Sequence, residues 1–295
     1  AKKRIRKFLS ENSIDIVHTH GFRADALISK INGIPKVSTL HNYPFYDYPM
    51  KFGRIKGNLM AINHLKYIRT NPKNFIACSK SITQMFKQNN IELQYIQNGI
   101  DTQMFFPVDI KQKQLLRKKL GIQNNVTVFI SVGSLISRKN MGTIIEAFKK
   151  IDDPNSFLIL AGDGIERENL QKKSSNNIIF LGNISNVNEY LQASDCFVSA
   201  SLAEGLPNSV LEAMACGLPT ILSNIPPHIE LYDDEKGNFF KPKDVDSLVN
   251  LFKRVSNDFK FQKELSLKLV NEKFNAKTMS EKYQKLYEEK INDKI

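Results

Sequence analysis

Two glutamates flank a glycine–proline turn in the segment EGLPNSVLEAMACGLPTI, which begins at Glu204. Glu212 follows Glu204 after seven intervening residues. Pro207 suits the first position of a helix, and Asn208 or Ser209 could cap that helix. The first N–H groups of a helix have no partner inside it and attract anions. The segment therefore predicts an anion site at a helix start, with a carboxylate on either side.

The combination of carboxylates with an anion site favours one class of ligand. A carboxylate repels a neighbouring phosphate, but it can accept hydrogen bonds from hydroxyl groups. Two such acceptors around a phosphate site suit a nucleotide sugar, which carries a sugar on each side of a diphosphate. Glutamate is also common on exposed loops and helix turns. The spacing of Glu204 and Glu212 alone therefore leaves a solvated surface as an alternative.

The segment VGSLISRKN could supply two cations for the same chemistry. We predict that a strand ends at Val132 and that Gly133 turns the chain. Arg138 and Lys139 then precede a helix, where an arginine would bind a diphosphate in bidentate geometry and a lysine as a point charge. An exposed basic turn would have the same sequence. The chain contains neither G-x-G-x-x-G nor a Walker sequence, so dinucleotide and ATP sites lack support.

Short apolar runs alternate with helical patterns along most of the chain. Strands of four to eight residues separated by helices predict parallel sheets built from βαβ units. The predicted strands are residues 14–18, 36–40, 74–77, 94–97, 127–132, 157–161, 177–181, 196–200, 220–223 and 237–240. We therefore predict an α/β fold with two Rossmann-like domains.

The turn segment NGIDTQMFFP, which ends at Pro107, separates the predicted elements into two groups. We predict an N-terminal domain over residues 1–107 and a C-terminal domain over residues 108–260. The helices of residues 261–295 are expected to return toward the N-terminal domain. The first domain has about four predicted strands and the second about six, which is the number in a complete doubly wound sheet. We therefore expect the N-terminal domain to be incomplete, with one or two βα units preceding residue 1.

The charge of the chain restricts its partners. The chain has 295 residues and a formal net charge of +12, and residues 1–110 carry 16 Lys and Arg against 7 Asp and Glu. This imbalance favours a phosphate-bearing substrate, an anionic membrane or a nucleic acid, although a solubilising surface would have the same composition. Nucleic-acid binding would require interleaved aromatic and basic residues or a reading helix, and the sequence has neither.

The sequence predicts no metal site and no membrane-spanning helix. Cys78, Cys196 and Cys216 match no zinc or redox spacing, and their apolar neighbours favour buried, reduced thiols in the cytosol. There is no H-E-x-x-H pattern, and the longest apolar runs fall short of the roughly 20 residues that a membrane helix needs. The segments VHTHG and STLHNYP each place a histidine at the end of a predicted strand, where a structural role is common.

Taken together, these segments resemble a known family. EGLPNSVLEAMACGLP resembles the E-x7-E signature of retaining GT-B glycosyltransferases, and in particular family four, whose C-terminal half is called the glycosyl transferases group 1 domain. VGSLISRKN, LAGDG, FLGNIS and NGIDTQMFFP occur in the order of that family. The resemblance covers roughly residues 14–250. It implies two Rossmann-like domains that face each other across a cleft.

The resemblance also implies roles for individual residues. Glu204 would lie at the donor sugar near the transferring centre, Glu212 would bind the ribose, and Lys139 would bind phosphate. His41 matches a histidine near the donor sugar. The other positions implied in donor binding are Gly133, Gly205, Leu206, Pro207, Asn208, Ser209, Val210, Asn183 and Ile184, the last two at the base.

The chain departs from the family pattern at Ser134, where the family often has an arginine. Arg138 is the candidate that supplies this cation from a shifted position. With Lys139 and the helix start it would stabilise the departing diphosphate, the task that a metal performs elsewhere. We expect no metal or other cofactor, and transfer with retention, with Glu204 and His41 as catalytic residues.

The expected function is transfer of a hexose-type sugar from a UDP- or GDP-sugar to a saccharide or lipid-linked acceptor. Bacterial capsule, O-antigen or exopolysaccharide synthesis would be the setting, in the cytoplasm. A further hypothesis is peripheral binding to the inner face of the plasma membrane through five basic residues: Lys2, Lys3, Arg4, Arg6 and Lys7. Two alternatives stay open: a non-catalytic nucleotide-binding fragment of such an enzyme and, less favoured, a basic nucleic-acid-binding protein.

Overall fold

The chain folds into two compact units, each built around a parallel sheet. The structure is a computed structural model, and it describes residues 2–232, 237–255 and 259–293. The first unit comprises residues 1–98 with 277–295, and the second unit comprises residues 99–276. These sheets, with helices between their strands, confirm the predicted α/β fold with two Rossmann-like domains.

The first unit has a four-stranded parallel sheet in sequential order. Its strands are β1 (Val17–His20), β2 (Lys36–Leu40), β3 (Phe75–Ala77) and β4 (Gln94–Tyr95). Its first helices are α1 (Lys2–Glu11), α2 (Phe22–Ile28), α3 (Pro44–Phe52), α4 (Arg54–Thr70) and α5 (Lys80–Lys87). A parallel sheet is buried on both faces, and the residues of β2 and β3 are correspondingly enclosed.

The second unit has a six-stranded parallel sheet. Its strands are β5 (Thr127–Val132), β6 (Ser156–Ala161), β7 (Ile178–Gly182), β8 (Cys196–Ser199), β9 (Thr220–Ser223) and β10 (Asn238–Phe240). Its helices are α6 (Ile110–Leu120), α7 (Met141–Lys149), α8 (Arg167–Lys173), α9 (Val187–Ala193), α10 (Asn208–Ala215), α11 (Pro226–Ile229), α12 (Val245–Val255) and α13 (Phe259–Lys273).

The order of the second sheet is β10-β9-β8-β5-β6-β7, so the chain starts at β5, builds outward to β7, and then returns to build from β8 on the other side. This is the doubly wound order, in which the direction of winding reverses between β5 and β8. Residues Val128, Phe129 and Ile130 of β5 are buried, as expected for a central strand. The carboxyl ends of β5 and β8 therefore lie side by side.

The unit boundaries fall after Asn98 and Ala276, whereas the sequence placed them at 107 and 260. Backbone hydrogen bonds explain the difference. The N–H of Ile100 donates to the carbonyl of Phe274 (2.7 Å), and the N–H of Ala276 donates to the carbonyl of Ile100 (2.9 Å). These bonds tie the segment after Asn98 into the second unit, and sequence composition does not reveal such a pairing.

The last helix, α14 (Ala276–Asn292), belongs to the first unit. Its Leu286 is buried in one cluster with Val37 and Ile76 of the first sheet, while α13 packs in the second unit. Only the last helix thus lies in the N-terminal unit, although the sequence led us to expect this of residues 261–295 as a whole. No helix in the described ranges is both long and apolar enough to cross a membrane.

Candidate active site

The carboxyl ends of β5 and β8 meet where the winding of the second sheet reverses. Ligands of doubly wound sheets bind in the crevice outside this point. Strand β5 continues into Gly133 and a 3₁₀ turn at Ser137–Lys139, and β8 continues into the loop that carries Glu204. The two loops are joined directly, because the N–H of Leu202 donates to the carbonyl of Arg138 (2.8 Å).

Glu204 is the centre of an ion cluster in this crevice. Arg138 Nη1 donates to its Oε2 (2.8 Å), and Lys139 Nζ donates to its Oε1 (2.6 Å). The hydroxyl of Ser201 donates to the same Oε1 (2.7 Å). The Glu204 side chain is buried, and the two cationic side chains are largely so. The structure thus brings together the first glutamate and both of the cations that the sequence singled out.

The charges of this cluster keep its carboxylate ionised. Burial raises the pKa of Glu204, but the charges of Lys139 and Arg138, with the hydrogen bonds from Lys139 and Ser201, lower that pKa to about 2. Burial raises the pKa of Glu212, and the charge of Lys139 opposes this shift. Lys139 therefore acts on both glutamates of the E-x7-E pair. Together, Arg138, Lys139 and an ionised Glu204 retain one positive charge at neutral pH.

Close backbone packing explains the glycines of the two turns beside this cluster. Gly133 has a φ of 151°, and a Cβ there would lie 3.2 Å from the Cε of Lys139. A Cβ on Gly162, which has a φ of 137°, would lie 2.0 Å from the carbonyl oxygen of Gly133. A Cβ on Gly164 would lie 2.3 Å from the carbonyl oxygen of Leu135. The segment LAGDG therefore supports the turn that positions Lys139.

Helix α10 begins at Asn208, directly after Pro207. Pro207 precedes the helix with an extended ψ of 103°, and α10 starts at Asn208 with no side-chain cap hydrogen bond. The predictions that Pro207 is the first helical residue and that Asn208 or Ser209 caps the helix are therefore wrong. The carbonyl of Pro207 instead accepts from the N–H of Val210 (3.1 Å). Four of the predicted donor-binding residues that follow Glu204 in the sequence are buried: Gly205, Leu206, Pro207 and Val210.

Asn183 and Ile184 follow β7, whose last residue is Gly182. They lie at the same edge of the sheet as the Glu204 cluster but apart from it, because β7 is two strands away from β5. With neighbouring strands about 4.8 Å apart, this separation is about 10 Å.

The sequence did not single out a second layer of polar residues behind Glu204. Ser223 at the end of β9 donates its hydroxyl to the carbonyl of Ser201 (2.6 Å). The ring Nδ1 of His228 donates to the carbonyl of Ser223 (2.8 Å), and burial lowers the pKa of His228 to about 4. The signal available was the position of Ser223 and His228 after a buried strand at the carboxyl edge of the sheet. This layer fixes the loop that carries Glu204.

His41 lies in the first unit, directly after β2. Its Nε2 is 2.8 Å from Nδ1 of His20, and the two rings stack. Burial, followed by the charge of His20, lowers the pKa of His41. The two histidines line a cavity of about 350 Å³, together with Tyr48, Lys51 and His64.

A buried hydrogen-bond network supports this cavity, and it was not predicted from the sequence. The carboxylate of Asp25 accepts from the hydroxyls of Thr19 (2.6 Å) and Ser38 (2.5 Å) and from Nε2 of His64 (3.0 Å). The other ring nitrogen of His64 is 2.7 Å from the hydroxyl of Tyr48. Among the described residues, no group of three or more His, Cys, Asp or Glu side chains could hold a metal ion.

Comparison with known proteins identifies the family. The model for "Glycosyl transferases group 1" matches residues 112–287, and that for "Glycosyltransferase Family 4" matches residues 1–104. The chain belongs to the glycosyl transferases group 1 family. The resemblance inferred from EGLPNSVLEAMACGLP and its companion segments is therefore confirmed, and the chain is a glycosyltransferase.

Relatives of this glycosyltransferase include three bacterial proteins whose names specify a polysaccharide or glycolipid product or acceptor. An Escherichia coli "UDP-Gal:alpha-D-GlcNAc-diphosphoundecaprenol alpha-1,3-galactosyltransferase" is 31% identical over 271 residues, which cover 85% of this chain and 69% of that protein. The Bacillus subtilis "Putative teichuronic acid biosynthesis glycosyltransferase TuaC" is 26% identical, with 92% and 70% covered. The Acholeplasma laidlawii "Alpha-monoglucosyldiacylglycerol synthase" is 29% identical, with 85% and 68% covered.

Solved structures share the fold. Sucrose-phosphate synthase from Thermosynechococcus elongatus superimposes with a TM-score of 0.83 at 19% identity, covering 98% of this chain and 76% of that one. Anabaena Alr3699/HepE, solved in complex with UDP and glucose, gives a TM-score of 0.81 at 19% identity, with 96% and 80% covered. At this level of identity the likeness concerns the fold alone.

Proposed function

We propose that this glycosyltransferase moves a hexose from a UDP-sugar to a lipid-linked or saccharide acceptor, with retention of the anomeric configuration. The observation that carries this proposal is the ion cluster of Arg138, Lys139 and Glu204 at the switch point of the second sheet, directly before α10. Cations and a helix start at this position suit a diphosphate. The carboxylates of Glu204 and Glu212 suit the hydroxyls on its two sides.

The proposed chemistry requires charge stabilisation at the leaving group. Cleavage of the bond between the anomeric carbon and the phosphate oxygen leaves negative charge on the UDP. Arg138 and Lys139 would neutralise this charge, and the start of α10 would add its dipole. The acceptor hydroxyl would attack from the face that UDP leaves and would transfer its proton to the departing phosphate oxygen. With these cations in place we propose that no metal or other cofactor is needed.

Glu204 has a different task, because Lys139 and Arg138 lower its pKa and keep its carboxylate ionised at neutral pH. We propose that its ionised carboxylate holds Lys139 and Arg138 in position and faces the positive charge that develops on the sugar ring. We propose His41 as the second catalytic residue. Removal of one preorganised group of this kind typically reduces the rate by about 10²–10³-fold.

The choice of UDP and the setting draw on the relatives. The name of the Escherichia coli relative specifies UDP-Gal and a diphosphoundecaprenol-linked acceptor, and the Anabaena structure contains UDP. We propose a cytoplasmic enzyme of surface polysaccharide synthesis with peripheral association at the inner face of the plasma membrane.

Calorimetric titration of UDP and of GDP into the chain tests the donor site. UDP should bind saturably and more tightly than GDP, and Glu212→Ala should weaken UDP binding about 10–100-fold, because a charged acceptor for the ribose hydroxyls is lost. Glu146→Ala is the matched control, since Glu146 is an exposed glutamate on helix α7 of the same unit. Equal binding by the Glu212→Ala variant would refute the assignment of that residue.

Transfer itself is tested by proton NMR of the product formed from a UDP-hexose. An α-linked product from an α-linked donor supports retention, and an inverted product overturns it. Saturable UDP binding without turnover of the donor would instead favour the alternative of a nucleotide-binding fragment.

A further inference from the structure

Helices α3 and α4 form a tight helical hairpin on the first unit. Gly53, with a φ of 82°, turns the chain between them. A Cβ on Gly57 would lie 2.4 Å from the backbone nitrogen of Pro49, so the glycine lets the two helices touch. The inward face of α4 then continues through buried residues at helical spacing: Gly57, Ala61, His64 and Ile68. This face accounts for the packing of the helix.

The opposite face of α4 is apolar and exposed. Ile55, Leu59 and Ile62 follow one another at helical spacing and are 81%, 58% and 45% exposed. Met50 and Phe52 of α3 add further exposed apolar surface at 47% and 38%. A helix that only has to pack on its own sheet needs one apolar stripe, and its other face is normally polar. This second stripe therefore indicates a surface that is covered by a partner.

The charge around this stripe identifies the kind of partner. Residues 48–91 contain eight Lys and Arg and no Asp or Glu. Arg54, Lys56 and Lys66 are exposed on α4 itself, and the ammonium of Lys56 lies 5.9 Å from the centre of the Phe52 ring. Large apolar side chains edged by cations with flexible stems are typical of helices that lie in the interface of an anionic bilayer.

We propose that the exposed face of the α3–α4 hairpin docks on a membrane surface that contains anionic phospholipid. Lys51 and Phe52 belong to this face and also line the cavity beside His20 and His41. A lipid-linked acceptor held in the docked bilayer would therefore reach the cavity along the hairpin, an orientation that rests on the proposed function. Helix α1 also carries cations. Among its described positions, however, Phe8 is the one large apolar residue that is exposed, so α1 offers less apolar surface than the hairpin.

Vesicle co-sedimentation of the full chain tests this proposal. The chain should bind vesicles of phosphatidylglycerol and phosphatidylcholine and should bind pure phosphatidylcholine at least about tenfold more weakly, because the anionic headgroups attract the cations. The apolar variant carries Ile55→Ser, Leu59→Ser and Ile62→Ser. It should bind the anionic vesicles at least about tenfold more weakly than the unmodified chain.

The chain supplies a closely matched control. Ile110, Leu115 and Ile165 of the second unit are 79%, 60% and 91% exposed. The triple Ile110→Ser, Leu115→Ser, Ile165→Ser removes similar exposed apolar area and should leave vesicle binding unchanged. The charge variant Arg54→Gln, Lys56→Gln, Lys66→Gln should weaken binding and flatten its dependence on salt.

Several outcomes would overturn the proposal. Equal loss of binding in the control triple would mean non-specific adsorption. The membrane contact would instead belong to α1 if the apolar variant bound as before and binding were abolished by neutralising the cations of that helix: Lys2, Lys3, Arg4, Arg6 and Lys7. A dimer in the absence of lipid that the apolar variant converts to a monomer would assign the face to a second copy of the chain. UDP affinity, measured on the same variants, reports on the donor site separately and should not change.

Discussion

Replacement of Glu204 by glutamine should separate stability from ligand binding in the ion cluster. The pKa of Glu204 lies at about 2 in the folded chain against an ordinary value of 4.5. This difference of about 2.5 units corresponds to roughly 3 kcal/mol at 1.36 kcal/mol per unit. We therefore expect Glu204→Gln to lower the free energy of unfolding of the second unit by about 3 kcal/mol at pH 7, which agrees with the cost of breaking a buried ion pair.

The pH dependence follows from the direction of the shift. A carboxyl whose folded pKa is depressed stabilises the fold above its unfolded pKa, and this stabilisation is lost as the pH falls from about 4.5 toward 2. The difference in stability between the unmodified chain and Glu204→Gln should therefore be constant from pH 7 to 5.5 and should shrink below pH 4.5. The chain contains no tryptophan, so urea unfolding is best followed by far-UV circular dichroism.

Nucleotide binding should respond in the opposite direction. We expect Glu204 to compete with a diphosphate for Lys139 and Arg138, because both cations form ion pairs with its carboxylate. Glu204→Gln should therefore keep or tighten the affinity for UDP while sugar transfer falls about 10²–10³-fold. Glu168→Gln, at an exposed position of α8, should change neither property, with a stability effect within about 0.5 kcal/mol. A loss of UDP affinity in Glu204→Gln as large as that in Lys139→Gln would refute this reasoning.

Two further predictions concern the supports of the two sites. Gly162→Ala should weaken UDP binding in the calorimetric assay, since its Cβ would press on the carbonyl of Gly133. Gly121→Ala is the control: Gly121 also has a positive φ but has open space around it, so this variant isolates the effect of backbone strain. Asp25→Asn should destabilise the first unit by about 1–3 kcal/mol in thermal unfolding, because Nε2 of His64 loses its acceptor. Unchanged stability together with reduced UDP affinity in Asp25→Asn would contradict the separate roles of the two units.

Local sequence patterns were sufficient for most of the sheet. Strands β2, β5 and β9 have the predicted bounds, because each is a short run with β-branched residues. Strand β1 instead covers Val17–His20, three residues later than the start predicted at residue 14. Its register is fixed by pairing with β2 and by the bond from the N–H of Val17 to the carbonyl of Pro35 (3.0 Å), and both depend on distant parts of the chain.

Helix α3, which contains Pro49, was not predicted from the sequence. Within a helix a proline lacks one hydrogen bond and crowds the preceding turn, a cost of about 3 kcal/mol. The structure keeps the helix through its contact with α4 at Gly57. This stabilisation comes from packing between two elements, which the local pattern around Pro49 does not encode.

The candidate site shows the same division between local and distant information. The sequence singled out Arg138, Lys139 and Glu204, and the structure brings these three together at one edge of a sheet, because the carboxyl ends of parallel strands share an edge. The sequence assigned the cations to the phosphate and the carboxylates to hydroxyls, as separate contacts. In the structure the same charges instead satisfy one another around Glu204.

This mutual pairing has a functional consequence. Two cations held by one buried carboxylate are already desolvated and oriented, so little reorganisation is needed when a diphosphate replaces that carboxylate as their partner. Net charge is the quantity that matters for such an exchange: the cluster carries one positive charge with Glu204 ionised and would carry two with Glu204 neutral. A site with two free positive charges would bind UDP as product more tightly and release it more slowly. Glu204 thus moderates the affinity that its neighbours create. We therefore expect the unmodified chain to release UDP faster than Glu204→Gln does, and stopped-flow displacement measures both rates.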